Sequence, residues 1–204
     1  MAIKLYYVPM SRAGRARWIL EELAIPYELH RLDVGAKESR QAAYLALNPT
    51  GHVPTLVDGD QVVYKSLAVV LYLADRYGAA RGLAPAVDAA DRGAYLTWTT
   101  YAIGTIEKEL AIYDRHTRRL PAGERVAAVA EAAKRDFAEA LGPVEAALAG
   151  KEHLVGGRFT AADVMMVSVL EWAAELGLLA GHTALGDYVR RQASRPAARR
   201  ARAD

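Results

Sequence analysis

The chain has 204 residues, 52% hydrophobic and 25% charged, with a formal charge of +2, the balance of an ordinary globular protein of one or two small domains. No apolar run reaches the roughly 20 residues that a membrane-spanning helix needs. With no cysteine at all, disulfides, thiolate metal sites and a protein cysteine nucleophile are excluded, so any sulfur chemistry must come with the ligand.

The start, Met1-Ala2-Ile3-Lys4, leads directly into a strand and lacks the apolar core of a signal peptide, so a cytoplasmic protein is expected. Lys4 to Val8 reads as a short strand ended by Pro9. Arg12 to Leu23 has helical spacing, with Ala13, Ala16, Ile19, Leu20 and Leu23 on an inward stripe and Ser11 as its N-cap. Tyr27 to Leu32 alternates as a strand, and Ser39 to Leu47 is a short helix stopped before Asn48-Pro49. Thr55 to Val57 and Gln61 to Tyr64 form a hairpin across Asp58-Gly59-Asp60. Ser66 to Tyr77 is an apolar helix that Gly78 ends.

The order β-α-β-α-β-β-α over residues 1–78 is that of an α/β thioredoxin-like domain. Residues 79–88, with Gly82 and Pro85, read as a linker, and residues 89–204 as an all-α domain. Its helices are expected over Ala90 to Arg115, Glu124 to Ala149, Ala161 to Leu176 and Ala184 to Ala193. Thr160 and Asp163 form a capping box before the third of these. Arg190, Arg191, Arg195, Arg199, Arg200 and Arg202 have only Tyr188 as a nearby aromatic. They read as a solvated helix face and a frayed tail, not a nucleic-acid patch.

The stretch Asn48 to Ser66 carries the most specific pattern. The Val53-Pro54 step, between Gly51-His52 and a hairpin, is a candidate cis bond, since cis peptides are confined almost entirely to X-Pro in tight turns. Such a bond turns the Val53 backbone groups outward, toward an extended peptide-like ligand. Ser66, opening a helix, offers its hydroxyl, its amide and the helix dipole to a carboxylate.

This block resembles the glutathione-binding half of the glutathione transferases. Gly157 to Asp163, Tyr188-Val189-Arg190 and Arg195-Pro196-Ala197 extend the resemblance across both domains. It implies that Val53 and Pro54 hold the cysteinyl backbone of glutathione and that Lys65 and Ser66 hold its γ-glutamyl end. His52 and Arg40 would lie near its glycyl carboxylate. The family usually has an acid or an amide before the serine. Here the residue is Lys65, a cation that repels the γ-glutamyl ammonium.

Thiol activation has its own requirements. A free thiol titrates near ~8.5, and lowering that by about two units takes roughly 2.7 kcal/mol of preferential anion stabilisation. One or two hydrogen bonds to the charged sulfur supply this, at about 1.5–3 kcal/mol each. The donor should therefore sit at the start of the first helix, where the dipole also favours an anion. Two residues compete. Ser11 matches the serine-type members of the family, and Tyr7, at the end of strand one, matches the tyrosine-type members.

The family resemblance implies a homodimer whose second substrate, a small apolar electrophile, lies between Met10 and the first helices of the C-terminal domain. Tyr101, Ile106 and Tyr113 are candidates for its wall. A glutathione-dependent peroxide or disulfide reductase is an alternative, as is a binding or regulatory module without turnover. The five histidines show no ligand spacing, and neither GxGxxG nor a P-loop occurs. Neither a metal nor a nucleotide is expected, and no nucleic-acid or membrane partner.

Overall fold

The computed structural model describes residues 3–203. Met1 and Ala2, on which the reading of the N-terminus drew, and Asp204 lie outside the described residues. The chain divides into two compact units: one runs to Ala86 and resumes at Ser194, and the other is Val87–Ala193.

The first unit holds β1 (Ile3–Tyr7), α1 (Ala13–Leu23), β2 (Tyr27–Arg31), α2 (Ala42–Leu47), β3 (Thr55–Asp58), β4 (Gln61–Tyr64) and α3 (Ser66–Tyr77). The sheet order is β2-β1-β3-β4, with β1 and β2 parallel and the other two pairs antiparallel. This is the mixed sheet expected from the element order. Ile19, Leu20 and Leu23 of α1, with Val69, Val70 and Leu73 of α3, form a core with Leu5 and Leu56, all buried. Each such side chain contributes about 1.5–3 kcal/mol. Strand β1 ends at Tyr7, one residue before the expected Val8, whose carbonyl accepts a 2.6 Å hydrogen bond from the Ser11 hydroxyl. The helix expected from Ser39 is split: a single 3-10 turn, Glu38–Arg40, precedes α2, and Gln41 between them is extended.

The C-terminal arginines differ from the expected frayed tail. Pro196–Arg202 forms a further helix of this first unit, numbered α9 in chain order, with Pro196 in its first turn and Ala197, Ala198 and Ala201 buried. Arg195 bonds both carboxylate oxygens of Glu22, at 2.7 and 2.9 Å. Arg200 reaches Glu21 at 2.6 Å, and Arg202 lies 5.0 Å over the Trp18 ring. The two glutamates of α1 thus recruit a helix from the far end of the chain. The last residues therefore group with the α/β unit, whereas the sequence reading assigned them to the helical domain.

The second unit holds α4 (Arg92–Tyr101), α5 (Lys108–Asp114), α6 (Ala127–Leu148), α7 (Ala161–Glu175) and α8 (Thr183–Ala193). The first expected helix is interrupted: π-helical segments Ala102–Glu107 and Arg115–Arg119 flank α5. Helix α7 is apolar nearly all round and buried along most of its length, which makes it the centre of this unit. Its capping box forms: the Thr160 hydroxyl accepts from the Ala162 amide at 3.3 Å, and Asp163 accepts from the Thr160 amide at 2.9 Å. Asp163 also accepts from the Leu154 amide at 3.1 Å and the Tyr188 hydroxyl at 2.8 Å. Burial pushes the Asp163 carboxyl and the Tyr188 hydroxyl up from their ordinary values.

Among the described residues no helix is long and apolar enough to cross a membrane. No group of three or more His, Asp or Glu side chains among them could hold a metal.

Candidate functional site

The turn between α2 and β3 is built on a buried polar network. Asn48, 1% exposed, donates its side-chain amide to the His52 carbonyl at 2.7 Å and to the Thr55 hydroxyl at 3.0 Å. Its own carbonyl oxygen accepts from the Thr50 amide and hydroxyl. The Tyr44 hydroxyl, also buried, reaches the His52 carbonyl at 2.6 Å and the Thr55 hydroxyl at 2.7 Å. Burial pushes the Tyr44 hydroxyl above its ordinary value, so it stays protonated. The Val53-Pro54 bond is cis, as the sequence pattern anticipated. Val53 itself is half-exposed and His52 exposed. Gly51 has φ +62°, and a Cβ there would meet the Arg40 guanidinium at 2.6 Å and the Ser39 carbonyl at 2.9 Å. Only glycine fits between these groups.

Across the unit, Ser66 is the first residue of α3 and is buried. Arg15 of α1, 4% exposed, donates to its hydroxyl at 3.3 Å. The opening turn of a helix leaves amides without intrahelical partners and carries the positive end of the dipole. A buried guanidinium beside it makes the spot strongly attractive to a carboxylate. Lys65 caps this helix with φ +73° and an exposed side chain. A non-glycine residue held there stores on the order of 1–3 kcal/mol, a feature that clusters at ligand clamps.

Ser11 lies in the turn between β1 and α1 and is half-exposed. Its hydroxyl donates to Val8 and accepts from the Ala13 amide at 3.2 Å, so it also orders the start of the helix. Turning its proton from the neutral Val8 carbonyl to a thiolate would exchange an ordinary hydrogen bond for a charge-assisted one, roughly twice as strong. Tyr7 is buried, with the Arg17 guanidinium 5.6 Å over its ring. Beside Val8 opens a cleft of about 290 Å³, lined also by Leu32, Asp33, Val34, Lys37, Ser39 and Arg40. Arg40 donates to the Thr50 carbonyl at 3.2 Å, next to Gly51.

Ser11, Arg40, His52, Val53, Pro54, Lys65, Ser66 and Tyr7 all belong to the first unit, where Arg40 reaches the Gly51 turn through Thr50 and Arg15 reaches Ser66. Met10, also in this unit, is 96% exposed at φ +55°. The other wall candidates belong to the second unit and serve its packing to different degrees. Ile106 is fully buried, Tyr101 gives its hydroxyl to the Ala140 carbonyl at 3.0 Å, and Tyr113 is half-buried. Ile106 is thus a core residue in this structure, not an exposed wall. The sequence reading missed Arg15, although a signal was present: Arg15 lies one turn before Ile19 on the inward face of α1, an unusual place for a cation.

A mixed four-stranded sheet, a cis X-Pro turn and a helix-opening serine, followed by a helical unit, match what the resemblance to the glutathione transferase class implies. The comparisons agree. The Glutathione S-transferase N-terminal domain matches residues 5–81, and the Glutathione S-transferase C-terminal domain matches residues 96–196. Glutathione S-transferase 3 of Zea mays is 34% identical over 175 residues, covering 79% of this chain and 73% of that protein. Among solved structures, a glutathione transferase from Methylococcus capsulatus has a TM-score of 0.86 and 29% identity, covering 98% of this chain and 97% of that one. One from Phanerochaete chrysosporium, determined with oxidized glutathione, has a TM-score of 0.85 and 25% identity, covering 98% of this chain and 92% of that one. This chain belongs to the glutathione S-transferase family.

Proposed function

We propose that this protein is a glutathione transferase that activates the glutathione thiolate for attack on a small apolar electrophile, acting as a cytoplasmic homodimer. The observation that carries the reading is the buried Arg15 bonded to Ser66 at the opening of α3, on the same helix that follows Ser11. The γ-glutamyl carboxylate binds at Ser66 and Arg15, the cysteinyl backbone pairs with Val53, and Arg40 and His52 serve the glycyl carboxylate. Ser11 donates to the sulfur, and the apolar part of the cleft beside Val8, with Met10, receives the electrophile. In the reaction the sulfur lone pair forms the new bond to the electrophilic carbon while a leaving group departs with its electron pair. The cysteinyl proton is released to solvent.

Calorimetric titration with glutathione, run beside an aromatic-halide conjugation assay and a hydroperoxide assay, tests this reading. Saturable binding with conjugation supports it. Binding with peroxide turnover alone favours the reductase, and no binding rejects the assignment. Lys65 favours a second reading, a module of this fold without turnover, because a cation at this cap opposes the γ-glutamyl ammonium. Replacing Lys65 with Glu is expected to tighten glutathione binding about 2- to 5-fold, the scale of an exposed charge pair. Unchanged or weaker binding in the same titration would show that Lys65 is no handicap.

A further inference from the structure

We infer that Tyr44 and Asn48 are positioning residues that aim the Val53 N–H at the ligand. The peptide unit is planar, and in its trans form the C=O and N–H point in opposite directions. The carbonyl of His52 and the N–H of Val53 belong to one such unit. Two buried donors, the Tyr44 hydroxyl at 2.6 Å and the Asn48 amide at 2.7 Å, hold that carbonyl on the interior side. The Val53 N–H is therefore turned to the opposite, open side. The same two side chains bond the Thr55 hydroxyl, so both flanks of Val53-Pro54 are fixed to one network. Thr55 is in turn locked into the sheet between Tyr6 and Tyr64.

Two donors on one carbonyl exceed what burial alone requires, since one hydrogen bond satisfies a buried acceptor. The second removes rotational freedom from this peptide unit before the ligand arrives, which is how preorganisation improves affinity. Tyr44 is itself held by its ring, which meets Tyr6 edge-on at 5.6 Å. Replacing Tyr44 with Phe preserves that contact and deletes one donor.

This inference rests on the glutathione-binding reading for its ligand, but the orientation of the N–H can be measured without one. The test is the residual dipolar coupling of the Val53 N–H in ligand-free wild type, Tyr44→Phe and Tyr44→Phe/Asn48→Ala, together with the glutathione Kd of each. The expected result is a changed Val53 coupling in Tyr44→Phe while couplings in β1 and α1 stay fixed, with Kd weakened roughly 5- to 10-fold. The double variant should change both further. If it does not fold, Tyr44→Phe alone decides the outcome. An unchanged Val53 coupling overturns the inference, and so does a changed coupling with unchanged Kd. Absence of glutathione binding by the wild type rejects the functional reading, while the couplings still judge whether Tyr44 aims the N–H.

Discussion

Replacing Asp163 with Ala is expected to destabilise the helical unit by about 3–5 kcal/mol, the scale of breaking a buried charged network. Asp163 is fully buried and accepts from the Thr160 amide, the Leu154 amide and the Tyr188 hydroxyl. Its loss strands donors from three separate segments, each costing about 1–3 kcal/mol when left unsatisfied in the interior. It also removes the Asp163 half of the capping box of α7, the buried central helix of the unit. For a chain of this size each kcal/mol shifts the midpoint by roughly 2–4 °C. Calorimetry should therefore record a drop of at least about 6 °C. Tyr188→Phe, which deletes only one donor to the same carboxylate, should produce a clearly smaller drop. Equal effects of the two variants would mean that Asp163 serves Tyr188 alone.

The second large effect concerns ligand binding. Arg15→Ala should weaken glutathione binding by roughly 10- to 100-fold, because a hydrogen bond to a charged group contributes about 1.5–3 kcal/mol. Arg15→Lys keeps the charge but lacks the planar fork that reaches Ser66, so it should recover only part of the loss. Titration calorimetry with glutathione decides the matter. An Arg15→Ala protein with unchanged affinity would make Arg15 a structural partner of Ser66 only.

What was legible in the sequence was local. The turn at Val53-Pro54, the Asp-Gly hairpin and the Thr160 capping box are each set by residues within a few positions of one another, and each formed as read. The strand and helix order followed from periodicity, and with it the fold. What stayed hidden depends on pairs far apart in the chain. Arg15 meets Ser66 only once α1 and α3 are packed. Glu21 and Glu22 find Arg200 and Arg195 across most of the chain length, so nothing local distinguishes this helix from a tail. Locally Asp163 is one half of a capping box; Leu154 from the preceding loop and Tyr188 from α8 reach it only in the folded unit. Ile106 sits at helical spacing with other apolar residues, and spacing alone does not separate a core residue from the wall of a pocket.

The Val53-Pro54 cradle and the α3 cap explain how glutathione would be held, while Ser11 carries the claim that it is activated. The direct measurement is the pH midpoint of thiolate formation by bound glutathione, followed by ultraviolet difference absorbance in wild type, Ser11→Ala and Tyr7→Phe. The wild-type midpoint should lie about two units below the free thiol value of ~8.5. Ser11→Ala should raise it by about one unit or more, one charge-assisted hydrogen bond being sufficient for that, and Tyr7→Phe should leave it in place. A Ser11→Ala midpoint equal to that of the wild type would contradict the account and reduce Ser11 to the residue that orders the start of α1.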